Sequence, residues 1–161
     1  MNNFIVGIST GNKDVQMSAG EIECSVLNSE FIKQCNEHNA QVNILPQQNT
    51  TSMNLKGLDA LIVTGGGDIN PEMYDQNPDD TIEKVDDLRD STEMNIFIAA
   101  EKMQIRTLAI CRGHQLLNIY KGGTLHQDLN KAGFQKMNHQ KPYADARKHI
   151  HKINIDENTK L

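Results

Sequence analysis

Thr107-Leu-Ala-Ile-Cys-Arg-Gly-His-Gln115 is the stretch that decides how this chain folds. A short apolar run ends at Cys111, and a helical pattern starts directly after it. That order reads as a strand, a sharp turn and a helix, with a thiol at the turn. A helix start offers unpaired backbone N–H groups and about half a positive charge. Both favour a thiolate, the nucleophilic form of cysteine. The run Ala109-Ile-Cys-Arg-Gly113 is close to the G-x-S-x-G nucleophile elbow, with Ala at its first small position and Gly at its second. A buried apolar cysteine is the plainer alternative for Cys111.

Outward from this stretch, strands and helices alternate. Phe4–Ile8, Val42–Leu45, Leu58–Thr64 and Arg106–Ile110 read as strands. Glu21–His38, Leu88–Met103 and Arg112–Tyr120 read as helices, the first on Ile22, Val26, Ile32 and Cys35. The residues between Ile8 and Glu21 read as a loop rich in Ser, Thr, Gly and Asn. Asp75–Asp87 reads as an exposed acidic excursion, and Thr124–Leu129 as a short strand or turn. Lys131–Arg147 carries no assignable pattern, while His149–Ile155 alternates like a further strand. The alternation predicts an α/β fold: a mostly parallel central sheet covered on both faces. Ligands of such sheets bind beyond the carboxyl ends of the strands, where both Gly65-Gly-Gly-Asp68 and Cys111 fall.

Composition sets the bounds. The chain has 161 residues, a length suited to one domain. Its 23% charged and 37% hydrophobic residues suit a globular chain rather than a disordered one. The net charge of −5 and the lack of a Lys/Arg-rich run argue against a nucleic-acid partner. No apolar run approaches ~20 residues, so no membrane span is expected. The N-terminus reads as a strand rather than a signal peptide, and a cytoplasmic location is expected. The three cysteines make no disulfide framework. On one helix, Cys24 and Cys35 would lie about 16 Å apart. His149 and His151 share one face of their strand, too few ligands for a metal site.

The glycine triplet Gly65–Gly67 can expose backbone N–H groups as an anion-binding concavity or one side of an oxyanion hole; a tight turn is the alternative. It fits neither a dinucleotide fingerprint nor a P-loop. Gln115, one turn into the helix, can reach back to a substrate at Cys111. Arg89, Asp90 and Glu93 cluster at a helix start, where structural capping is the expected role.

Four segments occur in an order that resembles one family: Gly65–Tyr74 (GGGDINPEMY), Arg89–Glu93 (RDSTE), Ala109–Asn118 (AICRGHQLLN) and Gly122–Leu129 (GGTLHQDL). They resemble the class I glutamine amidotransferase-like hydrolases, in particular the γ-glutamyl-γ-aminobutyrate hydrolases of peptidase family C26. The resemblance covers residues 4–155. It implies a three-layer, flavodoxin-like sandwich and a cysteine-dependent hydrolase of γ-glutamyl amides. It implies Cys111 as nucleophile, the backbone N–H of Arg112 and one of Gly66 or Gly67 as oxyanion hole, and Gln115 against the γ-glutamyl group. The thiolate would form a γ-glutamyl thioester that water then releases as glutamate. No metal or organic cofactor is implied.

Three departures stand beside it. Ala109 replaces the family's usual Gly, and His114 a position where Met is common. Family members also continue into a His-His-Gln and then a His-Pro-Glu segment that supplies the catalytic histidine and glutamate; this sequence reaches Leu161 without either. The expectation is therefore a single domain over residues 1–161, incomplete at its C-terminal end, with no histidine carried over as general base. Three readings remain open: an enzyme, a non-catalytic γ-glutamyl-binding module, and an inactive truncated product. A small γ-glutamyl compound is the expected ligand in the first two. A homo-oligomer or a separately encoded C-terminal segment is the partner compatible with that expectation.

Overall fold

A computed structural model describes residues 4–134 and 154–157. Four strands, β1 (Phe4–Ser9), β4 (Ala40–Leu45), β5 (Ala60–Val63) and β6 (Arg106–Ala109), form one parallel sheet in the order β4-β1-β5-β6. Counted within that sheet, the order is 2-1-3-4, the start of the flavodoxin-like doubly wound order. The register aligns Val6 with Val42 and with Ala60, and Val63 with Ala109. The expected α/β fold is therefore present.

Side-chain alternation divides the core into two layers. Val6 and Ile8 point to one face, where they bury Cys35 of helix α1 (Ser29–Glu37) among Phe31, Val42, Ala60 and Ile62. Leu61 and Val63 point to the other. There Ile96, Phe97 and Ala100 of α2 (Asp87–Met103) and Leu116 and Ile119 of α3 (Arg112–Tyr120) close the larger core. Each fully buried Leu or Ile contributes about 1.5–3 kcal/mol, so most of the apolar stabilisation lies on the α2/α3 side. The Asn28 side chain caps α1 through the Glu30 N–H, and Asp86 caps α2 through the Arg89 N–H.

The segment after β1 corrects two expectations. It is neither a loop nor the first half of a helix, but a hairpin of β2 (Gly11–Met17) and β3 (Gly20–Val26) turning at Ser18 and Ala19. Ile22, Cys24 and Val26 alternate with period two; read four apart, Ile22 and Val26 also satisfy a helical stripe. The helix begins only at Ser29. Cys24 thus sits on a strand and Cys35 on a helix, and with Cys111 all three are free thiols. Side-chain amides tie the hairpin base to α2: Asn12 donates to Gln47 (3.0 Å), and Gln47 donates to the capping Asp86 (2.7 Å).

Residues 124–129 hold bends and turns and no strand. Asp128–Leu161 forms a second compact unit; in it Ala132 N–H donates to Asp128 (3.1 Å) and Phe134 N–H to Leu129 (2.8 Å). The strand expected over 149–155 lies mostly outside the described residues. Among the described residues, no helix is long and apolar enough to cross a membrane.

Candidate active site

Pairing of β5 with β6 decides the site. With Val63 beside Ala109, the glycine loop after β5 and the elbow after β6 leave the sheet side by side. This adjacency at the carboxyl ends was not readable from the sequence. Cys111 is exposed and adopts φ 52°, ψ −112°, a conformation that L-residues rarely hold. Such a residue costs about 1–3 kcal/mol and persists only where its surroundings fix it. Here Ile110 N–H donates to Val63 O (2.9 Å) before the turn, and after it Gly113 N–H donates to Ile110 O (2.9 Å) and Gln115 N–H to Cys111 O (3.1 Å). A Cβ on Gly113 would stand 2.4 Å from Val63 O, so only glycine lets α3 start this close to β5. The Cys111 side chain makes no capping bond to the first turn of α3.

Each glycine of the loop meets a different neighbour. A Cβ on Gly65 would lie 3.4 Å from Cys111 Cβ and 3.8 Å from its Sγ. One on Gly66 would lie 2.3 Å from Arg89 Nη1 and 2.9 Å from Arg112 Cδ. One on Gly67 would lie 2.8 Å from Lys84 O, and Asp68 fastens that end of the loop to Glu83. The structure thus brings Gly65, Gly66, Cys111 and Arg112 together, with Gly67 turned to the 83–84 segment. Gln115 is exposed on the first turn of α3.

The charged cluster on α2 departs from the capping expectation. Asp86 is the cap; Arg89, Asp90 and Glu93 are buried. Glu93 Oε1 accepts from Arg89 Nε (3.0 Å) and Ser9 Oγ (2.7 Å), and Oε2 accepts from Arg112. Asp90 accepts from Arg112 and, at its other oxygen, from Asn70 N–H (2.9 Å). Arg89 Nη2 donates to Gly65 O (2.8 Å), Thr64 Oγ1 (3.0 Å) and Thr64 O (3.3 Å). Burial pushes the Asp90 carboxyl up, against the Asn70 amide and the Arg112 guanidinium, which favour its charged form. On α2 the apolar Leu88 and Ile98 are exposed, and the buried stripe runs Arg89, Glu93, Ile96, Phe97, Ala100. Its helical spacing was visible in the sequence, but its first turn is charged and drops out of an apolar count.

A cleft of about 1120 Å³ opens between the hairpin and the glycine loop; it is lined by Ile110 and Arg112 on either side of Cys111, but not by Cys111 itself. Thr64–Gly67, Ile110 and Arg112 line it on the sheet side, the hairpin base and the 84–87 segment on the others. It lies at the switch point between β1 and β5, where doubly wound sheets bind ligands. Its wall mixes Lys13 and Lys84 with Asp14, Glu23, Asp86 and Asp87. Among the described residues, no group of three His, Cys, Asp or Glu could hold a metal ion. His149 and His151, the pair weighed as ligands, lie outside the described residues.

Comparison with known proteins supplies a context for this geometry. The family model described as Peptidase C26 matches residues 4–161. A glutamine amidotransferase-like protein of Lactococcus lactis subsp. cremoris, the YvdE homologue, is 35% identical over 120 residues, 73% of this chain and 64% of its own length. Protein NtpR of Enterococcus hirae is 32% identical over 112 residues, 70% and 47% of the two chains. The γ-glutamyl-γ-aminobutyrate hydrolase PuuD of Escherichia coli K12 is 37% identical over 76 residues, 47% and 29%. The chain therefore aligns with 64% or less of each of these relatives.

Proposed function

Because this chain belongs to the peptidase C26 family, we propose that it is a glutamine amidotransferase-like hydrolase that cleaves γ-glutamyl amides through a thioester on Cys111. The observation that carries this reading is Cys111 itself: an exposed thiol at positive φ, at the head of α3, against the backbone of Gly65.

Chemistry follows from that placement. The Cys111 thiolate attacks the γ-carbonyl carbon, and the carbonyl oxygen becomes an oxyanion. Two backbone N–H groups, of Arg112 and Gly66, receive it; Gly66 is preferred over Gly67 because it packs on Arg112. Collapse expels the amine, which takes up a proton, and leaves the γ-glutamyl thioester. Water then adds to the thioester carbonyl, releasing glutamate and the thiol. Gln115 faces the γ-glutamyl group from the first turn of α3. No described residue is assigned as general acid. Acylation by a substrate with a weakly basic leaving amine is thus the step that tests the reading most directly.

The test is mass spectrometry after incubation with γ-glutamyl-p-nitroanilide. One added γ-glutamyl group on Cys111, absent from Cys111→Ala, is expected. Intact protein with no adduct, although calorimetry shows glutamine bound, would instead make the chain a γ-glutamyl-binding module. The aminobutyrate amide is the first natural-type substrate to try, since PuuD carries that activity in its name.

A further inference from the structure

Glu93 sits under both halves of the candidate oxyanion hole. Its Oε1 holds Arg89, and its Oε2 holds Arg112. Arg89 passes the constraint to the glycine loop by donating to the carbonyl oxygens of Thr64 and Gly65. A peptide unit is planar and trans, so its C=O and the following N–H point opposite ways. Fixing Gly65 O toward Arg89 therefore aims the Gly66 N–H away from it. Arg112 passes the constraint to the elbow, because the residue whose guanidinium is held also carries the second N–H. Ser9 completes the Glu93 carboxylate from β1, and Asp90 ties Arg112 to Asn70 at the far end of the glycine loop.

From these contacts we infer that Glu93 is a positioning residue: one buried carboxylate that fixes both backbone donors of the hole, Gly66 through Arg89 and Arg112 directly. The inference rests on the proposed function for its catalytic meaning, though not for its geometry. Burial fits the role. At 1% exposure the carboxylate is little screened by water, and a guanidinium fork sets direction as well as distance. The same packing explains why residue 66 is glycine, since a side chain there would displace both arginines.

The test compares the parent chain with Glu93→Gln, which keeps shape but leaves one arginine facing an amide donor. Loss of one oxyanion donor typically costs ~10²–10³-fold in rate. Acylation by γ-glutamyl-p-nitroanilide should fall by about 10²-fold, in kcat and not in KM. Alkylation of Cys111 by iodoacetamide, which forms no oxyanion, should keep its rate. The amide resonances of Gly66 and Arg112 should both shift, while that of Lys121 at the other end of α3 stays. Equal losses in acylation and alkylation, or unmoved Gly66 and Arg112 amides in a folded variant, would overturn the inference. If Glu93→Gln does not fold, Arg89→Lys decides: it keeps the charge, loses the fork, and should move the Gly66 amide and slow acylation. A parent chain that is never acylated, but whose two amides shift together, refutes the proposed function and leaves the clamp standing.

Discussion

Helices α2 and α3 run side by side in the same direction and are joined by charged contacts at both ends. At the inner end Asp90 and Glu93 hold Arg112; at the outer end Glu101 accepts from Lys121 and from Tyr120. The partners are of the same kind, but their surroundings differ. Arg112 and Asp90 side chains are 1% and 2% exposed, Lys121 and Glu101 56% and 58%. Water screens the outer contacts, which therefore contribute little. At the inner end each charge is desolvated and depends on its partners. The same helix pair thus has a surface end that can vary and a buried end that must be complete, and the buried end lies under the candidate catalytic residues.

The largest expected effect comes from breaking the inner end. Glu93→Ala leaves Arg89 and Arg112 without their shared acceptor, and breaking a buried pair costs about 3–5 kcal/mol. For a domain of this length each kcal/mol moves Tm by ~2–4 °C, so a calorimetric melt should fall by roughly 10 °C. Replacing all the partners is the sharper variant. An Arg89→Met, Asp90→Asn, Glu93→Leu, Arg112→Met quadruple substitution removes all four buried charges and keeps an acceptor for the Asn70 N–H, and such swaps are often neutral or stabilising. It is expected to melt above Glu93→Ala and still fail to acylate. A quadruple variant that melts above Glu93→Ala yet fails to acylate would separate geometry from stability; one that acylates normally would erase the distinction between the two ends.

Next in size is Gly66→Ala. The added methyl would stand 2.3 Å from Arg89 Nη1, so the guanidinium has to leave its place. Overpacking of this kind costs about 1–3 kcal/mol, read as a lower urea midpoint with unchanged m-value. The expected loss in acylation exceeds what that destabilisation explains, because the displaced side chain orients the loop.

How much of this was legible in the sequence follows from which forces act locally. The strand, elbow and helix around Cys111 came through because apolar run, turn and helical pattern agree there; they are observed as Arg106–Ala109 and Arg112–Tyr120. The hairpin Gly11–Val26 did not, since its strands are largely exposed and no apolar run marks them. Its one apolar triplet, Ile22, Cys24, Val26, suits two periods. The role of Arg89 and Glu93 was hidden for a different reason. A charged residue near a helix start reads as a cap until its long-range partner is known, and Arg112 lies 19 residues from Glu93. The order RDSTE then CRG held the signal only in combination, since the elbow reaches α2 only once β6 has paired with β5.

The smallest effect concerns sign rather than size. Asp90 and Glu101 are carboxylates on one helix with opposite shifts: burial raises Asp90, whereas hydrogen bonds from Lys121 and then Tyr120 lower Glu101. A raised folded value means the native state holds the extra proton. Asp90 therefore contributes stability that is fully present below its ordinary unfolded value and is lost as pH rises through the folded one. A lowered value does the reverse. Glu101 contributes stability present above its ordinary unfolded value and lost as pH falls through the folded one. Melting each variant beside the parent across the acidic range reads both signs. The advantage of the parent over Asp90→Asn should shrink as pH rises, and its advantage over Glu101→Gln should grow. Raising the salt to about 1 M shortens the Debye length to ~3 Å, which should flatten the exposed Glu101 trend and leave the Asp90 trend nearly intact. Parallel trends at both positions would mean that burial does not separate the two ends of the helix pair.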